Sequence, residues 1–180
     1  MDDRLEHIVL VDQQDHQVGT APKLDGHRHG LLHRALSVIV RDRQGRLLLQ
    51  KRHSGKYHSG GLWTNTCCSH PRPDEPVAQA AGRRLDEEMG FHCKLRPLTR
   101  VTYRADVGNG LIEHELVHVF VGHYAGAVRP HPDEADGYDW VTPAALRLEM
   151  AAAPDRFSVW FKKYCAEHWE LITDGGSQPI

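Results

Sequence analysis

The sequence lacks the features that mark membrane-spanning, secreted and nucleic-acid-binding proteins. Its longest apolar runs, such as Leu36 to Val40, are far shorter than the roughly 20 residues that a transmembrane helix needs. The segment from Met1 to Arg4 is acidic and has none of the apolar stretch of a signal peptide. Lysine and arginine (22) nearly balance aspartate and glutamate (24), which leaves a formal net charge of -2. We therefore expect a cytoplasmic protein with neither a membrane nor nucleic acid as partner.

Cysteines are few, and internal repeats and low-complexity linkers are absent. Without an export signal, the four cysteines are expected to be reduced thiols: Cys67, Cys68, Cys93 and Cys165. Because nothing divides the 180 residues, we predict a single domain over 1–180, with its core at about 8–170. A tail from Asp174 to Ile180 is predicted to be disordered. No coiled-coil pattern or dimer seam is visible, which favours a monomer.

What the sequence does contain is a set of short apolar, β-branched runs separated by glycine and proline. They predict strands at Ile8–Val11, Leu36–Val40, Leu47–Gln50 and Leu116–Val121. Gln44-Gly45 predicts a hairpin turn between the second and third of them. Apolar spacing predicts a helix over Val77–Met89, with Pro76 in its first turn and Gly90 at its end. A second helix is predicted over Pro154–Glu170. Strands followed by isolated helices indicate an α/β or α+β sandwich on a mixed sheet.

The helix Val77–Met89 carries a carboxylate close to its apolar side. Val77, Ala78, Ala81, Leu85 and Met89 are predicted to fall on that side. Glu88 follows Leu85 by three positions, so it borders the apolar side, while Glu87 points elsewhere. A carboxylate turned partly inward is costly unless it meets a metal or another cation. The alternative is a charged helix end with local ion pairs.

Two further carboxylates share one face of a predicted strand in the stretch L-I-E-H-E-L-V-H-V-F-V. Glu113 and Glu115 point the same way, and the alternation continues through Val117, Val119 and Val121. Side by side on an apolar face, they repel each other unless a cation lies between them or one holds a proton. The alternative is an edge strand whose acidic start lies in solvent.

Histidines precede the second predicted strand in the stretch K-L-D-G-H-R-H-G-L-L-H. Lys23, His27, His29 and His33 lead into that strand. Together with Glu113 and Glu115, three imidazoles could form a divalent site of nitrogen and oxygen ligands, with His70 as the possible third. The alternative for any single histidine is a surface or packing role.

From Ser69 the chain resembles the Nudix box, a loop-helix-loop that holds divalent metal against a diphosphate. The residues in register with it are Glu75, Arg83, Leu85, Glu87, Glu88, Gly90 and Phe91. Ser69 stands where the box has its first glycine. Arg84 stands where the box has a metal-site glutamate, which weakens the metal cluster used for hydrolysis and adds a cation that can grip phosphate.

Several separated motifs together resemble the type I isopentenyl-diphosphate isomerases, over about Ile8 to Phe161. T-N-T-C-C-S-H-P matches the family's T-N-x-x-C-x-H-P and selects Cys68, whereas Cys67 falls on a variable position. G-L-L-H-R-A-L-S-V supplies His33. His27 aligns less securely, because the loop before His33 varies in length, and His29 is its rival. The remaining matches are E-H-E at Glu113 and Glu115, Y-R-A at Tyr103 and F-S-V-W-F at Trp160.

The resemblance implies a Nudix-like α/β/α sandwich and an enzyme of isoprenoid precursor biosynthesis that interconverts isopentenyl and dimethylallyl diphosphate. Glu115 is implied as the acid, assisted by Tyr103, with Cys68 as the opposing proton carrier, its pKa expected to be easily tuned towards neutrality. Trp160 is implied to lie against the cationic carbon. The implied ligands of a protein-bound Mn²⁺, Mg²⁺ or Zn²⁺ are His27, His33, His70, Glu113 and Glu115. Glu88 is implied to hold the Mg²⁺ that enters with the substrate diphosphate, and the implied diphosphate-binding cations are Lys23, Arg52, Lys56 and Arg84.

Three other classes of function remain open at this point. A Nudix hydrolase would cleave a nucleoside diphosphate derivative, but it needs no thiol and is disfavoured by Arg84. A thiol hydrolase would use Cys68 with His70 as base, which leaves Glu88, Glu113 and Glu115 without a role. A non-catalytic metal- or diphosphate-binding module is the third.

Overall fold

The computed structural model describes residues 6–174, which form nine strands and five α-helices. The strands are β1 His7–Val11, β2 Gln17–Pro22, β3 His33–Arg41, β4 Leu47–Arg52, β5 Trp63–Thr64, β6 Cys67–Ser69, β7 Leu95–Gly108, β8 Leu111–His123 and β9 Ala135–Val141. The α-helices are α1 Lys23–His29, α2 Val77–Met89, α3 Pro143–Ala152, α4 Val159–Glu167 and α5 Trp169–Asp174. Of the predicted tail, Asp174 ends α5, and residues 175–180 lie outside the described part. No helix in 6–174 has the length and apolar character needed to cross a membrane.

The sheet is mixed and is organised around one long parallel pair. β3 and β8 run parallel, in register from His33 opposite Glu115 to Arg41 opposite His123. The other pairings are antiparallel, with β7 on the far side of β8 and β6 on the other side of β3. β8 is therefore an inner strand, and the edge-strand alternative for its two glutamates is wrong.

Helices cover both faces of this sheet. On one face, Ala80, Ala81, Leu85 and Met89 of α2 pack against the even-numbered core positions of β3, such as Val38. On the other face, α4 and α5 pack against the odd-numbered positions, including Val117 of β8. Side chains alternate between the faces of a strand, so the sequence of β3 supplies both cores. The predicted α/β/α sandwich on a mixed sheet is confirmed.

The predicted strands and the helix α2 are also confirmed. All four predicted strand segments lie inside observed strands, and α2 has the predicted bounds. Gly90 ends α2 in the left-handed conformation at φ 71°, and its N–H bonds the carbonyl of Asp86. The turn at Gln44-Gly45 joins β3 to β4, with Gly45 at φ 76°. Ala78 is exposed rather than on the buried side, so that one assignment was wrong.

The single helix predicted over Pro154–Glu170 was wrong. The segment begins as a short 3₁₀ turn at Pro154–Arg156, leaves helical geometry at Phe157 and Ser158, and then forms α4. The break has a tertiary cause: Phe157 bridges to Trp63 of β5, and the N–H of Ser158 donates to the Trp63 carbonyl over 2.9 Å. Because Trp63 is distant in the sequence, the spacing of apolar residues in this segment cannot predict the break.

Candidate active site

A single cavity collects most of the residues singled out by the sequence. It opens between the end of α2, the β4–β5 connection and the start of α4. The predicted residues that line it are Lys23, Arg52, Lys56, Cys68, His70, Arg84, Glu88, Tyr103, Glu113, Glu115 and Trp160. His27 and His33 are fully buried behind it. The cavity therefore holds the thiol, the carboxylates and the basic side chains in one place.

Strand register explains how these separated motifs meet. Tyr103 of β7 lies opposite Glu115 of β8, and Glu115 lies opposite His33 of β3. These residues form one row across the sheet and point to the same face. Four residues further along β3, Ser37 lies opposite Cys68 of β6. The thiol and the carboxylate are thus carried by strands on opposite sides of β3.

The short helix α1 delivers the first imidazole. His27 is fully buried, whereas His29 is exposed and its Nδ1 donates to the carbonyl of Asp25 on the outside. Of the two rivals, only His27 therefore reaches the cluster. Helix α1 was not predicted from the sequence, where this segment was expected to lead directly into β3. Gly30 ends α1 in the left-handed conformation, and this Gly was the signal that could have revealed it.

The imidazoles are arranged as neutral ligands. Nδ1 of His27 donates to the carbonyl of Lys23 and Nδ1 of His33 to that of Leu31, each over 2.8 Å, so both Nε2 atoms present lone pairs inward. Burial, followed by the neighbouring imidazoles, lowers the pKa of His27 to about 3. Burial lowers the pKa of His70 to about 4, against the raising effect of Glu115.

These donors fit a divalent metal. The ligand atoms of His27, His33, His70 and Glu115 all lie within 4.8 Å of one another. Nε2 of His33 and Nε2 of His70 approach to 3.2 Å, and Nε2 of His27 is buried without a hydrogen-bond partner. Converging lone pairs and an orphaned buried nitrogen are arrangements that a bound cation satisfies. A second group with the same spacing joins His27 to His58 and Glu113.

The two carboxylates of β8 share one phenol. Tyr103 Oη lies 2.7 Å from Oε2 of Glu113 and 2.8 Å from Oε2 of Glu115. Burial and the adjacent Glu115 raise the pKa of Glu113 well above its usual range. Burial alone would raise the pKa of Glu115 too, but the adjacent imidazoles of His33 and His70 outweigh it and hold that pKa low. In the metal-free protein, one phenolic hydrogen therefore serves a pair in which one carboxyl keeps its proton.

The thiol of Cys68 faces this cavity, and that of Cys67 does not. Cys67 is fully buried against the α2 side of the sheet, while Cys68 packs on the α4 side. The Cys68 Sγ lies 3.1 Å from Ser37 Oγ and 3.1 Å from Asn65 Oδ1. Burial raises the pKa of Cys68 to about 12, although both hydrogen bonds act in the opposite direction. The expected shift of this pKa towards neutrality was therefore wrong in direction.

The basic end of the cavity is held by carboxylates. Arg84 donates to Glu87, Glu88 and Glu134, at 2.7, 2.8 and 3.1 Å. Lys56 Nζ lies 2.6 Å from Glu134 as well. The local ion pairs considered as an alternative for the end of α2 are thus present, and Glu134 joins them from outside the helix.

Two more of the predicted cations have contacts that orient them. The guanidinium of Arg52 lies 5.2 Å from the ring centroid of Trp160, and its Nε is buried without a hydrogen-bond partner. Lys23 Nζ lies 2.8 Å from Glu6 and 5.6 Å from the ring centroid of Tyr57. Both cations line the cavity.

Several residues of the site were not predicted from the sequence. His58, in the 53–62 connection, is buried and lines the cavity. Glu134 also lines the cavity. Gln50 of β4 donates to Glu88 over 2.9 Å. Gln50 was detectable as the one amide in an otherwise apolar run, L-L-L-Q, but His58 lies in a stretch without periodicity.

Comparisons with known proteins agree with this architecture. The model of the NUDIX domain family matches residues 31–161. A solved structure from Deinococcus radiodurans superposes with a TM-score of 0.69 at 19% identity, covering 82% of this chain and 90% of that one. A MutT protein from Methanosarcina mazei superposes with a TM-score of 0.63 at 17% identity, covering 82% and 96%. At such identities these structures show the shared fold.

Sequence relatives are much closer. An isopentenyl-diphosphate Delta-isomerase of Burkholderia multivorans is 51% identical over 156 residues, which cover 87% of this chain and 89% of the relative. Isopentenyl-diphosphate Delta-isomerase 2 of Aromatoleum aromaticum is 50% identical over 155 residues, covering 86% and 82%. The resemblance inferred from the motifs is confirmed: this chain belongs to the isopentenyl-diphosphate Delta-isomerases, built on a NUDIX domain.

Proposed function

We propose that this chain interconverts isopentenyl diphosphate and dimethylallyl diphosphate, with Cys68 and Glu115 as its two proton carriers. The observation that carries the proposal is that both side chains line one cavity, together with Trp160 and the basic residues at its mouth. A thiol has no use in a Nudix hydrolase, and the carboxylates have no use in a thiol hydrolase. The isomerase uses both.

The reaction needs two proton carriers in a sheltered space. A proton adds to the terminal methylene carbon, a tertiary carbocation forms beside it, and a proton leaves the carbon on the far side. The double bond moves by one position, and no atom is gained or lost overall. Water would trap the carbocation, so the two proton carriers must act inside a cavity that excludes water. Glu115 is buried at 7% exposure, and Cys68 is partly buried.

We assign Glu115 as the acid, with Tyr103 as its assistant and Cys68 as the carrier on the opposite side. Because the pKa of Glu115 is held low and that of Glu113 is raised, the Tyr103 hydroxyl would pass the proton of Glu113 on to Glu115. Tyr103 fits this role because its hydroxyl contacts both Glu115 and Glu113. Trp160, 2% exposed and lining the cavity, offers a ring to the cationic carbon. Such a contact is worth about 0.5–2 kcal/mol, at the upper end when water is excluded.

We propose His27, His33, His70, Glu113 and Glu115 as the ligands of a protein-bound divalent ion, with Mn²⁺, Mg²⁺ and Zn²⁺ as candidates. The ion would supply a fixed positive charge that stabilises the two neighbouring carboxylates. The residues themselves orient the acid: His33 and His70 fix one oxygen of Glu115, and Tyr103 fixes the other.

We propose that the diphosphate binds at the basic mouth with Mg²⁺ held by Glu88, since Mg²⁺ prefers carboxylate, phosphate and water. The side chains proposed to bind the diphosphate are Lys23, Arg52, Lys56 and Arg84. The substrate is thus a small diphosphate, and we propose a cytoplasmic monomer. All four cysteines are free thiols, in keeping with a reducing compartment.

The test is to incubate the protein with isopentenyl diphosphate and Mg²⁺ in deuterated water. We expect dimethylallyl diphosphate that carries deuterium. Released phosphate would instead indicate a hydrolase, and unchanged substrate a binding module.

Matched variants make the assay specific for the assigned residues. Cys68→Ala and Glu115→Gln should each lower turnover by about 10²–10⁴-fold, the usual contribution of a proton-transfer group. Cys93→Ala and Glu149→Gln are the controls, because neither residue lines the cavity. Full activity in Cys68→Ala would remove the thiol from the mechanism.

A further inference from the structure

His58 is a buried imidazole to which neither the family resemblance nor the motif matches gave a role. It lies in the connection between β4 and β5, and its side chain is 4% exposed. Its ring stacks on His27, with centroids 5.9 Å apart and an interplanar angle of 28°. A polar ring at this depth requires a partner.

The two ring nitrogens of His58 have different surroundings, as the two nitrogens of a metal-bound histidine do. Nδ1 lies 3.3 Å from the hydroxyl of Ser59, and Nε2 points to Oε1 of Glu113 at 3.5 Å. In metal-bound histidines one nitrogen is fixed by an outer hydrogen bond, and the other faces the ion. The adjacent Ser59 has φ 52°, a left-handed conformation that serine adopts infrequently.

The nitrogen of His27 that faces His58 and Glu113 has no hydrogen-bond partner either. Ligand atoms of His27, His58 and Glu113 lie within 4.8 Å of one another, and Nε2 of His27 is buried with no hydrogen-bond partner. Ligands of an ion bound at about 2.1 Å lie from about 3.0 to about 4.2 Å apart, so this group, all within 4.8 Å, needs only a small contraction to hold one. The 3.5 Å between His58 and Glu113 exceeds the usual hydrogen-bond length, but it is an ordinary distance between two ligands of one ion.

This group is continuous with the proposed metal site. His27 belongs to both groups, and Tyr103 Oη joins Glu113 to Glu115. The two groups are separate without an ion, since their ligand atoms do not all lie within 4.8 Å of one another. A single Nε2 atom binds one ion, however, so the shared His27 argues that both groups close around the same ion.

We propose that His58 is a further ligand of the buried divalent ion, which is then surrounded by four imidazoles beside two carboxylates. This inference rests on the metal site of the proposed function and extends it to the choice of metal. Imidazole ligands favour Co²⁺, Ni²⁺ and Zn²⁺, whereas Mg²⁺ prefers oxygen. A fourth imidazole therefore biases this site away from Mg²⁺.

Metal binding to the chelator-treated protein tests the inference without any use of isomerase activity. Calorimetric titration with Co²⁺ should show at least about 10-fold weaker binding in His58→Gln than in the unaltered protein. The change for Mg²⁺ should be smaller, and the visible absorption of bound Co²⁺ should change. The control is His53→Gln in the same connection, whose side chain is 38% exposed.

The outcomes separate a ligand from a positioning residue. Unchanged Co²⁺ affinity, or equal weakening of both ions with an unchanged Co²⁺ spectrum, would overturn the proposal. If His58→Gln fails to fold, nitrogen NMR of histidine-labelled, Zn²⁺-loaded protein decides, since four metal-bound imidazoles support the proposal and three refute it. A chain without isomerase activity would still give these signals, so failure of the proposed function would be seen separately.

Discussion

The thiol of Cys68 donates a hydrogen bond to the side-chain oxygen of Asn65, over 3.1 Å. The amide of Asn65 is in turn fixed by donating to the carbonyls of Val38 and Cys67. These bonds hold the Asn65 side-chain oxygen on the cavity side of β6, where it accepts the hydrogen bond from the Cys68 thiol. This contact orients the thiol, while burial keeps its proton in place.

We therefore expect Cys68 to remain a neutral thiol in the metal-free protein up to pH 10. Burial raises its pKa to about 12, so its reactive thiolate increases with pH throughout this range. At pH 8 iodoacetamide should alkylate Cys68 roughly 10- to 100-fold more slowly than an ordinary thiol, because scarcity of thiolate outweighs its greater nucleophilicity. Alkylation is followed by mass spectrometry of the Cys68 peptide from pH 6 to 10. A rate that levels off below pH 9 would contradict the raised pKa.

Removing the shared phenol should slow the reaction. Tyr103→Phe keeps the ring but takes the only hydroxyl that contacts both Glu113 and Glu115 in the described residues. A hydrogen bond to a charged group is worth about 1.5–3 kcal/mol, so we expect kcat to fall roughly 10- to 100-fold. The measurement is kcat at saturating isopentenyl diphosphate. Tyr138→Phe is the control, since that ring is 41% exposed, and equal kcat in both variants would exclude Tyr103 from the chemistry.

Local pattern was sufficient to predict part of this structure. The bounds of α2, the inward side of Glu88 and the common face of Glu113 and Glu115 all follow from helix and strand periodicity. β7 was missed, although Val101 and Tyr103 alternate with exposed neighbours and carry the signal of a half-buried strand.

The rest depends on contacts between distant segments. His58 is buried because the 53–62 connection folds over α1 and β8, and nothing within Lys56 to Gly61 encodes that closure. Glu134 meets Lys56 and Arg84 for the same reason. The raised pKa of Cys68 is likewise a property of burial, which sequence spacing does not report.

The buried cation of α2 should matter to stability. Arg84 is 10% exposed and donates to Glu87, Glu88 and Glu134, so Arg84→Met leaves these carboxylates without their common partner. Removing one side of such a buried network typically costs about 3–5 kcal/mol. We expect a loss of that size in the free energy of unfolding, measured with urea.

The control for this variant is an exposed pair of the same chemistry. Arg28 lies 3.5 Å from Asp25 with both side chains more than half exposed, so Arg28→Met should change stability by less than about 1 kcal/mol. If the two arginine variants are equally stable, the network around Arg84 is not a stabilising one.

Glu134 should compete with the substrate. Its carboxylate lies 2.6 Å from Lys56 and 3.1 Å from Arg84, both proposed to bind the diphosphate. Glu134→Gln removes that negative charge, so we expect KM for isopentenyl diphosphate to fall about 3- to 10-fold, as for the loss of roughly 1 kcal/mol of competing attraction. Steady-state kinetics at fixed Mg²⁺ measure this. A rise in KM would show instead that Glu134 supports the substrate complex.

A glycine inside α2 and the glycine that follows its last residue should have opposite effects on stability when each is replaced by alanine. Gly90 ends the helix at φ 71°, and a Cβ there would approach the carbonyl oxygen of Arg129, so Gly90→Ala should destabilise the protein by about 2 kcal/mol or more. Gly82 lies inside the helix, and a Cβ there meets nothing within 4 Å. Because alanine restricts the unfolded chain, Gly82→Ala should stabilise it by about 0.5–1 kcal/mol. Urea midpoints decide both, and a Gly90→Ala protein as stable as the parent would mean that the Arg129 backbone does not pack on the end of α2.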